Sequence, residues 1–348
     1  MLAGERRVLI GDVKNMNVPI AVIGAGGWGT ALATTMARNE RDVRLWAYES
    51  DVVETMTATR ENPLYLPGVR IPETVRVSNS LPDVLDGASI IILAVPSHVY
   101  RAVFSQMLPL LNPAMVFVSA AKGIENDTLM RMSEVILDVA KPQFVPSVAA
   151  ISGPTFAPEV ARGEPAALVV ASPDETLRLF LQTELSAPRF RLYTNPDLIG
   201  VEIAAAVKNI IAIAAGVVDG LGLGSNATAA LITRGLAEIT RLAVACGGKR
   251  ETLSGLAGLG DLVLTSYGNL SRNRRVGVAL GQGKKIDAVV AGMRMVAEGV
   301  KTAKSTVALA RKLNLEMPIA EKIYSVLYED LKPQDAIADL MERKLKEE

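Results

Sequence analysis

Ile20-Ala21-Val22-Ile23-Gly24-Ala25-Gly26-Gly27-Trp28-Gly29-Thr30 is the stretch on which the fold turns. Pro19 precedes four apolar residues, and the glycine cluster leads into residues 30–38, rich in Ala, Leu and Met. The pattern reads as strand, turn, helix. Residues 24–29 match G-x-G-x-x-G directly after a strand and before a helix, the context in which that pattern carries weight. Gly24 permits a tight turn, Gly26 lets backbone approach a pyrophosphate, and Gly29 lets helix and strand pack closely. Amides at the positive helix end then hold the anion. The alternative is an ordinary glycine turn. Trp28 reads either as a stacking lid over a cofactor or as a core anchor at the helix start.

Downstream, strand-like runs at residues 43–46, 90–95, 116–120 and 148–151 alternate with helical or turn-rich segments such as 129–140. Such alternation predicts a parallel sheet wrapped by helices, an α/β Rossmann-type doubly wound domain. Runs at 167–171 and 190–193 add late strands around a helical stretch at 173–185. After Asn195-Pro196 the segments become long, alanine-rich or charged at helical spacing, which predicts an all-α C-terminal domain. The expected organisation is an N-terminal extension over 1–18, a dinucleotide-binding domain over 19–195 and a helical substrate and catalytic domain over 196–348. Within the helical half, glycine-rich stretches at 216–224 and 254–260 suggest close backbone approach or loops facing a cleft.

The chain has 348 residues, 49% of them hydrophobic, which exceeds what one core usually organises. Its 37 Lys and Arg balance 37 Asp and Glu, so no global field draws it to nucleic acid or an anionic membrane, and any anion site is local. Residues 198–218 are apolar enough to suggest a membrane span, but Glu202, Lys208 and Asn209 lie inside; a buried core helix without membrane insertion is expected. Arg6 and Arg7 precede Val8-Leu9-Ile10, a run too short for a signal-peptide core. The single cysteine, Cys246, excludes an intrachain disulfide, and a cytoplasmic location is the simpler expectation. With one histidine, His98, a zinc site is not expected, nor is a proton-transfer role for that histidine. Lysine, carboxylate or tyrosine must move any proton.

Lys208 is the candidate. Helical spacing places Ala204, Ala205, Ile211 and Ala212 around it, and such a dry setting pushes an ammonium pKa down towards a useful range. The alternative is a lysine reaching out of a core helix. Lys122 follows the run 116–120, at the carboxyl end of a strand, where ligands of open parallel sheets collect; a solvated turn lysine is the alternative. Asp261 can pair with a lysine and orient it, or cap a turn. Ser271-Arg272-Asn273 offers donors suited to a phosphate, though Arg274 and Arg275 also allow an exposed basic helix start. Ser152-Gly153-Pro154-Thr155 is turn chemistry. Glu49 stands about 20 residues beyond the last glycine, the usual distance to an adenine-ribose contact. It can accept from ribose hydroxyls and favour NAD, or be a surface acid; Arg44, if turned outward, can serve a phosphate instead.

Read in order, the glycine motif is followed by Ala94-Val95-Pro96-Ser97, Ala120-Ala121-Lys122-Gly123-Ile124-Glu125 and Ser152-Gly153-Pro154-Thr155-Phe156-Ala157. Then come Ala206-Val207-Lys208-Asn209, GLAGLGDLVLT from Gly255 to Thr265, and Ser271-Arg272-Asn273. From about residue 19 to residue 330 this closely resembles the bacterial-type NAD(P)-dependent glycerol-3-phosphate dehydrogenases. The resemblance implies reversible hydride transfer between NADH or NADPH and dihydroxyacetone phosphate, supplying sn-glycerol 3-phosphate for phospholipid synthesis. It implies cofactor contacts at Gly27, Trp28, Tyr48, Glu49, Lys122, Ala157, Arg272, Val296 and Glu298. Substrate contacts then fall at Lys122, Gly153, Thr155, Lys208, Asp261, Ser271, Arg272 and Asn273, with Lys208 as acid/base. Tyr48 departs from the basic residue or histidine often found there, and Ser266 from a frequent cysteine. A homodimer is expected as the commonest assembly of such chains. The rival readings are a two-domain dehydrogenase of a hydroxy acid and a non-catalytic dinucleotide sensor.

Overall fold

The computed structural model describes residues 18–293 and 297–344. The strands in chain order are β1 (Ile20–Ile23), β2 (Val43–Trp46), β3 (Glu61–Asn62), β4 (Leu66–Arg70), β5 (Arg76–Ser78) and β6 (Ile90–Leu93). β7 (Val116–Ser119), β8 (Ser147–Ser152), β9 (Ala166–Ala171) and β10 (Phe190–Asn195) follow. The first half also carries α1 (Gly27–Arg38), α2 (Ser50–Thr59), α3 (Leu81–Leu85), α4 (Ser97–Met107), α5 (Met132–Ala140), α6 (Ala157–Arg162) and α7 (Glu175–Leu185).

All four residues of β1 are buried, and they divide by the two-residue period of a strand. Ile20 and Val22 enter an apolar cluster with Leu32 and Met36 of α1. Ala21 and Ile23 enter another with Tyr100 and Phe104 of α4. Burial on both faces is what a parallel sheet needs, and β1 pairs in parallel with β2 and β6. The eight-stranded sheet runs β10-β9-β8-β7-β6-β1-β2-β5.

One edge departs from the expected all-parallel arrangement: β9 is antiparallel to β8, and β10 runs parallel to β9. The link from β8 carries only the short α6, which packs on α1 instead of returning the chain along the sheet. The hairpin β3–β4 and the short edge strand β5 have no counterpart among the expected strands. Pro67 and Gly68 inside β4 and the polar Arg76-Val77-Ser78 of β5 hide any apolar alternation.

Beyond Asn195 the described residues form helices only. They are α8 (Leu198–Gly220), α9 (Ser225–Ala245), α10 (Arg250–Leu253), α11 (Asp261–Tyr267), α12 (Arg272–Gly281), α13 (Ile286–Ala291), α14 (Glu298–Lys312), α15 (Pro318–Tyr328) and α16 (Pro333–Met341). α8 is the axis. It is the one helix among the described residues long and apolar enough to cross a membrane, and that apolar stretch is wholly buried inside the protein. Asp197 starts it, accepting from the Gly200 amide at 2.8 Å and from the Lys249 amide and Thr252 hydroxyl of the α10 region. Of the two readings of the glycines at 216–224, close backbone approach holds at Gly216 and Gly220: α8 continues through both, and the small residues let α12 touch its backbone. A Cβ on Gly277 of α12 would lie 2.0 Å from the Ile213 carbonyl oxygen.

Glu202 of α8 joins the two halves. Its carboxylate accepts from the Ser133 amide at 2.8 Å, the Ser133 hydroxyl at 2.5 Å and the Arg131 guanidinium, all at the start of α5. Removing one partner of such a buried pair costs about 3–5 kcal/mol.

Candidate active site

The glycine turn is shaped for an anion. Gly24 has φ +112°, a conformation that side chains resist, and a Cβ on Gly29 would meet the Gly24 carbonyl oxygen at 1.8 Å. A Cβ on Gly26 would meet nothing within 4 Å, so open space lies over the N-terminus of α1 where a pyrophosphate would approach. These residues fit a dinucleotide. Asn62, buried in the hairpin, donates to the Ala25 carbonyl at 2.8 Å and to the Thr30 hydroxyl at 3.0 Å, clamping the turn. Sequence reasoning missed Asn62, and the only local signal was the Asn62-Pro63 turn dipeptide.

Trp28 packs against apolar clusters that include Leu66, Val69 and Ala161, and its indole N–H is buried. That packing anchors the indole at the start of α1. Ala157, at the start of α6, lies beside Gly27. Tyr48 is 75% exposed, with its ring edge-on to Trp46. Arg44 does not turn outward to serve a phosphate: its guanidinium donates to the Asp86 carbonyl and lies 3.9 Å from Asp42. Val296 falls outside the described residues.

At the other end of the cleft, three charged residues from distant segments meet. Asp261, the first residue of α11, sits after an unusually wide helical turn over Leu256–Gly260 and is 1% exposed. One of its oxygens lies 2.7 Å from Lys122 Nζ, the other 3.0 Å from Lys208 Nζ. Asp261 therefore pairs with lysines rather than capping a turn. Lys122 Nζ also donates to the Gly153 carbonyl at 3.2 Å, and Thr155 Oγ1 donates to that same oxygen at 3.1 Å. Lys208 Nζ donates to Thr265 Oγ1 at 2.6 Å, and that hydroxyl donates to the Asp261 carbonyl one helical turn back. Thr265, quoted only as the end of a motif, is a direct partner of the candidate proton carrier.

Burial pushes the Lys208 ammonium down to about 8; Asp261 opposes the shift, Lys122 adds to it, and Glu298 opposes it again. The expected dry lysine is present, and its polar neighbours come from the segment after β7, from α11 and from α14, which sequence spacing along α8 could not reveal.

The phosphate-binding candidates open α12. Ser271 caps the helix by accepting from the Arg274 amide at 3.2 Å. Asn273 donates to Asn209 Oδ1 at 2.9 Å and accepts from the Gly299 amide at 3.0 Å, leaving one amide hydrogen for another acceptor. This bond ties the segment of α8 that carries Lys208 to the start of α12 that carries Arg272. Asn209 also donates to the Lys122 carbonyl at 3.3 Å.

Arg272 makes no ion pair and no side-chain hydrogen bond among the described residues. Burial lowers its pKa below the ordinary arginine value, with Glu298 opposing and Arg275 adding. Glu298 begins α14; burial raises its pKa, against the attraction of Arg272, a hydrogen bond donated by the Ser97 backbone amide, and the attraction of Lys122 and Lys208. Glu298 acts on the guanidinium through space without a direct ion pair, so the Arg272 donors remain open to the anion of a ligand. His98 at the start of α4 is exposed, its pKa lowered by partial burial and by Lys301.

Family models for the N-terminal and C-terminal parts of NAD-dependent glycerol-3-phosphate dehydrogenase match residues 19–178 and 197–338. The chain belongs to the NAD-dependent glycerol-3-phosphate dehydrogenase family. It is 57% identical to the glycerol-3-phosphate dehydrogenase [NAD(P)+] of Koribacter versatilis over 326 residues, 93% of this chain and 97% of the relative. The enzyme of the same description from Geobacter sulfurreducens is 53% identical over 96% of this chain and 99% of its own. The crystal structure of glycerol-3-phosphate dehydrogenase from Coxiella burnetii superimposes with a TM-score of 0.90 at 45% identity, covering 94% of this chain and 99% of that one. Members are oxidoreductases that act on a CH–OH group and use NAD or NADP, and both the mixed α/β half and the helical half of this chain follow that family fold.

Proposed function

We propose that this chain interconverts dihydroxyacetone phosphate and sn-glycerol 3-phosphate, with Lys208 moving the proton and Arg272 holding the phosphate. The observation that carries this reading is that Arg272, which makes no ion pair among the described residues, has Glu298 as a charged neighbour in common with the lysines of the Lys122–Asp261–Lys208 cluster. Bound nicotinamide supplies or receives the hydride. The residues of the chain do the rest.

An ammonium that titrates near 8 is charged at neutral pH yet gives up its proton readily, which suits donation to a carbonyl oxygen that gains charge during reduction. In the reverse direction neutral Lys208 accepts the alcohol proton. Asp261 keeps the amine in place and prevents burial from discharging it entirely. Lys122, held by Asp261 and Gly153, is placed to orient the ketone, with Thr155 on the same wall. Arg272, the remaining Asn273 amide hydrogen and the Ser271 hydroxyl lie at the positive end of α12, a natural seat for a dianionic phosphate. On the cofactor side the reading takes Gly24, Gly26, Gly27, Trp28, Gly29, Tyr48, Glu49, Lys122, Ala157, Arg272, Val296 and Glu298 as contacts.

In this reading residues 19–195 carry the dinucleotide and residues 196–348 the substrate chemistry, with residues 1–18 belonging to neither. Supply of glycerol 3-phosphate to phospholipid synthesis, a cytoplasmic location and a homodimer complete it. The test follows NADH and NADPH oxidation separately with dihydroxyacetone phosphate, in wild type and Lys208→Ala. Absence of turnover with either cofactor overturns the activity. Unchanged turnover in the variant overturns only the assignment of the proton to Lys208.

A further inference from the structure

The adenosine end of the cleft holds a carboxylate in an unusual setting. Glu49 stands just past β2, at the start of α2, with extended backbone (φ −83°, ψ 125°) and without capping the helix with its side chain. Instead its Oε1 accepts from the Tyr65 hydroxyl at 2.9 Å. The other carboxylate oxygen has no partner among the described residues and is available to neighbouring hydroxyls. Tyr65 is itself held in place, because its amide donates to Asn62 Oδ1 at 3.2 Å and Asn62 grips the glycine turn. The carboxylate is thus tied by Tyr65 and Asn62 to the turn that would carry the pyrophosphate. Burial, Glu49 and then Asp51 raise the Tyr65 pKa, which keeps the phenol a donor.

Among the described residues 41–80, which flank this end, no cation stands ready for a second phosphate. Residues 41–80 contain no lysine, and each arginine among them is engaged. Arg41 pairs with Glu184, Arg44 donates to the Asp86 carbonyl, and Arg70 pairs with Glu73. Arg60 donates to the Pro72 and Val75 carbonyls, and Arg76 pairs with Asp42. A 2′-phosphate on the adenine ribose would meet Glu49 and Asp51 instead of a positive charge, whereas a free 2′-hydroxyl would meet an acceptor.

We propose that Glu49, aimed by Tyr65, selects NADH over NADPH and is the cofactor-specificity element of this chain. The inference rests on the dehydrogenase reading and narrows its cofactor. Calorimetric titration with NADH and with NADPH tests it alongside kcat/KM for each. Wild type is expected to bind NADH at least about tenfold more tightly, since a repelled phosphate and a satisfied hydroxyl act in the same direction. Glu49→Gln keeps an acceptor oxygen but removes the charge, so the preference should collapse towards unity, chiefly through tighter NADPH binding. Tyr65→Phe leaves the charge but frees the carboxylate; it should weaken NADH binding by about fivefold, the scale of one lost hydrogen bond, and act on the KM for NADH more than on kcat. A purely structural Tyr65 would leave the NADH-to-NADPH ratio unmoved. Equal or tighter binding of NADPH by wild type, or an unchanged ratio in Glu49→Gln, overturns the proposal while leaving the dehydrogenase reading intact. Failure to bind either dinucleotide overturns both.

Discussion

The two ends of the cleft handle charge differently. At the adenosine end, Glu49 is part-exposed and is held by one hydrogen bond from a neutral phenol. At the reacting end, Asp261 and Lys208 are 1% and 4% exposed, and every charge has a counter-charge or a prospective ligand within the cluster. Interactions between ions strengthen several-fold as the effective dielectric falls, so the dry end suits chemistry and the part-exposed end suits choice between similar cofactors. Substitutions at the first should cost far more than substitutions at the second.

The largest effect belongs to Lys208. Lys208→Ala should lower kcat for dihydroxyacetone phosphate reduction by about 10²–10⁴-fold, the usual worth of a positioned acid, with cofactor binding little changed; steady-state kinetics together with calorimetry checks both halves. Asp261→Asn comes next. It leaves two facing lysines without their shared anion, which should cost about 3–5 kcal/mol in urea unfolding. It should also lower the Lys208 pKa further, because Asp261 does most to raise it, ahead of Glu298.

Arg272→Lys keeps the charge but loses the planar fork, and should raise the KM for dihydroxyacetone phosphate by about tenfold while kcat falls less. An equal loss in kcat and kcat/KM would place Arg272 in the reacting step instead. The mildest test is pH. In the proposed mechanism reduction uses the charged form of Lys208, so its kcat should decline as pH rises through about 8, and oxidation of glycerol 3-phosphate should rise over the same window. A flat profile between pH 7 and 9 in both directions would remove Lys208 as the titrating group. The proposed preference for NADH should shift by about tenfold in Glu49→Gln without moving that profile.

The same contrast explains what could be read before the coordinates. The glycine turn is legible because its requirements are local: Gly24 needs a positive φ, Gly29 needs a missing Cβ, and strand and helix flank them in the chain. The buried α8 is legible because its apolar length leaves few other homes for it. The reversed edge at β9 and β10 was not, since Val, Leu and Ala runs look alike whichever way the strand points. Nor was the hairpin that supplies Asn62 and Tyr65, whose proline and glycine mask its strands.

Sequence sufficed for the order of elements, a dinucleotide turn, a helical second half and the residues worth suspecting, because backbone preference and apolar periodicity act between near neighbours. The motif order also named the family. Which charges meet was left to the tertiary structure. Lys122, Lys208 and Asp261 lie on separate elements, and only packing around α8 brings their tips within 3.0 Å. Only packing, too, leaves Arg272 unpaired while every arginine of residues 41–80 finds a partner, for ion pairing depends on distance in space and on burial, neither of which is written at any single position of the chain.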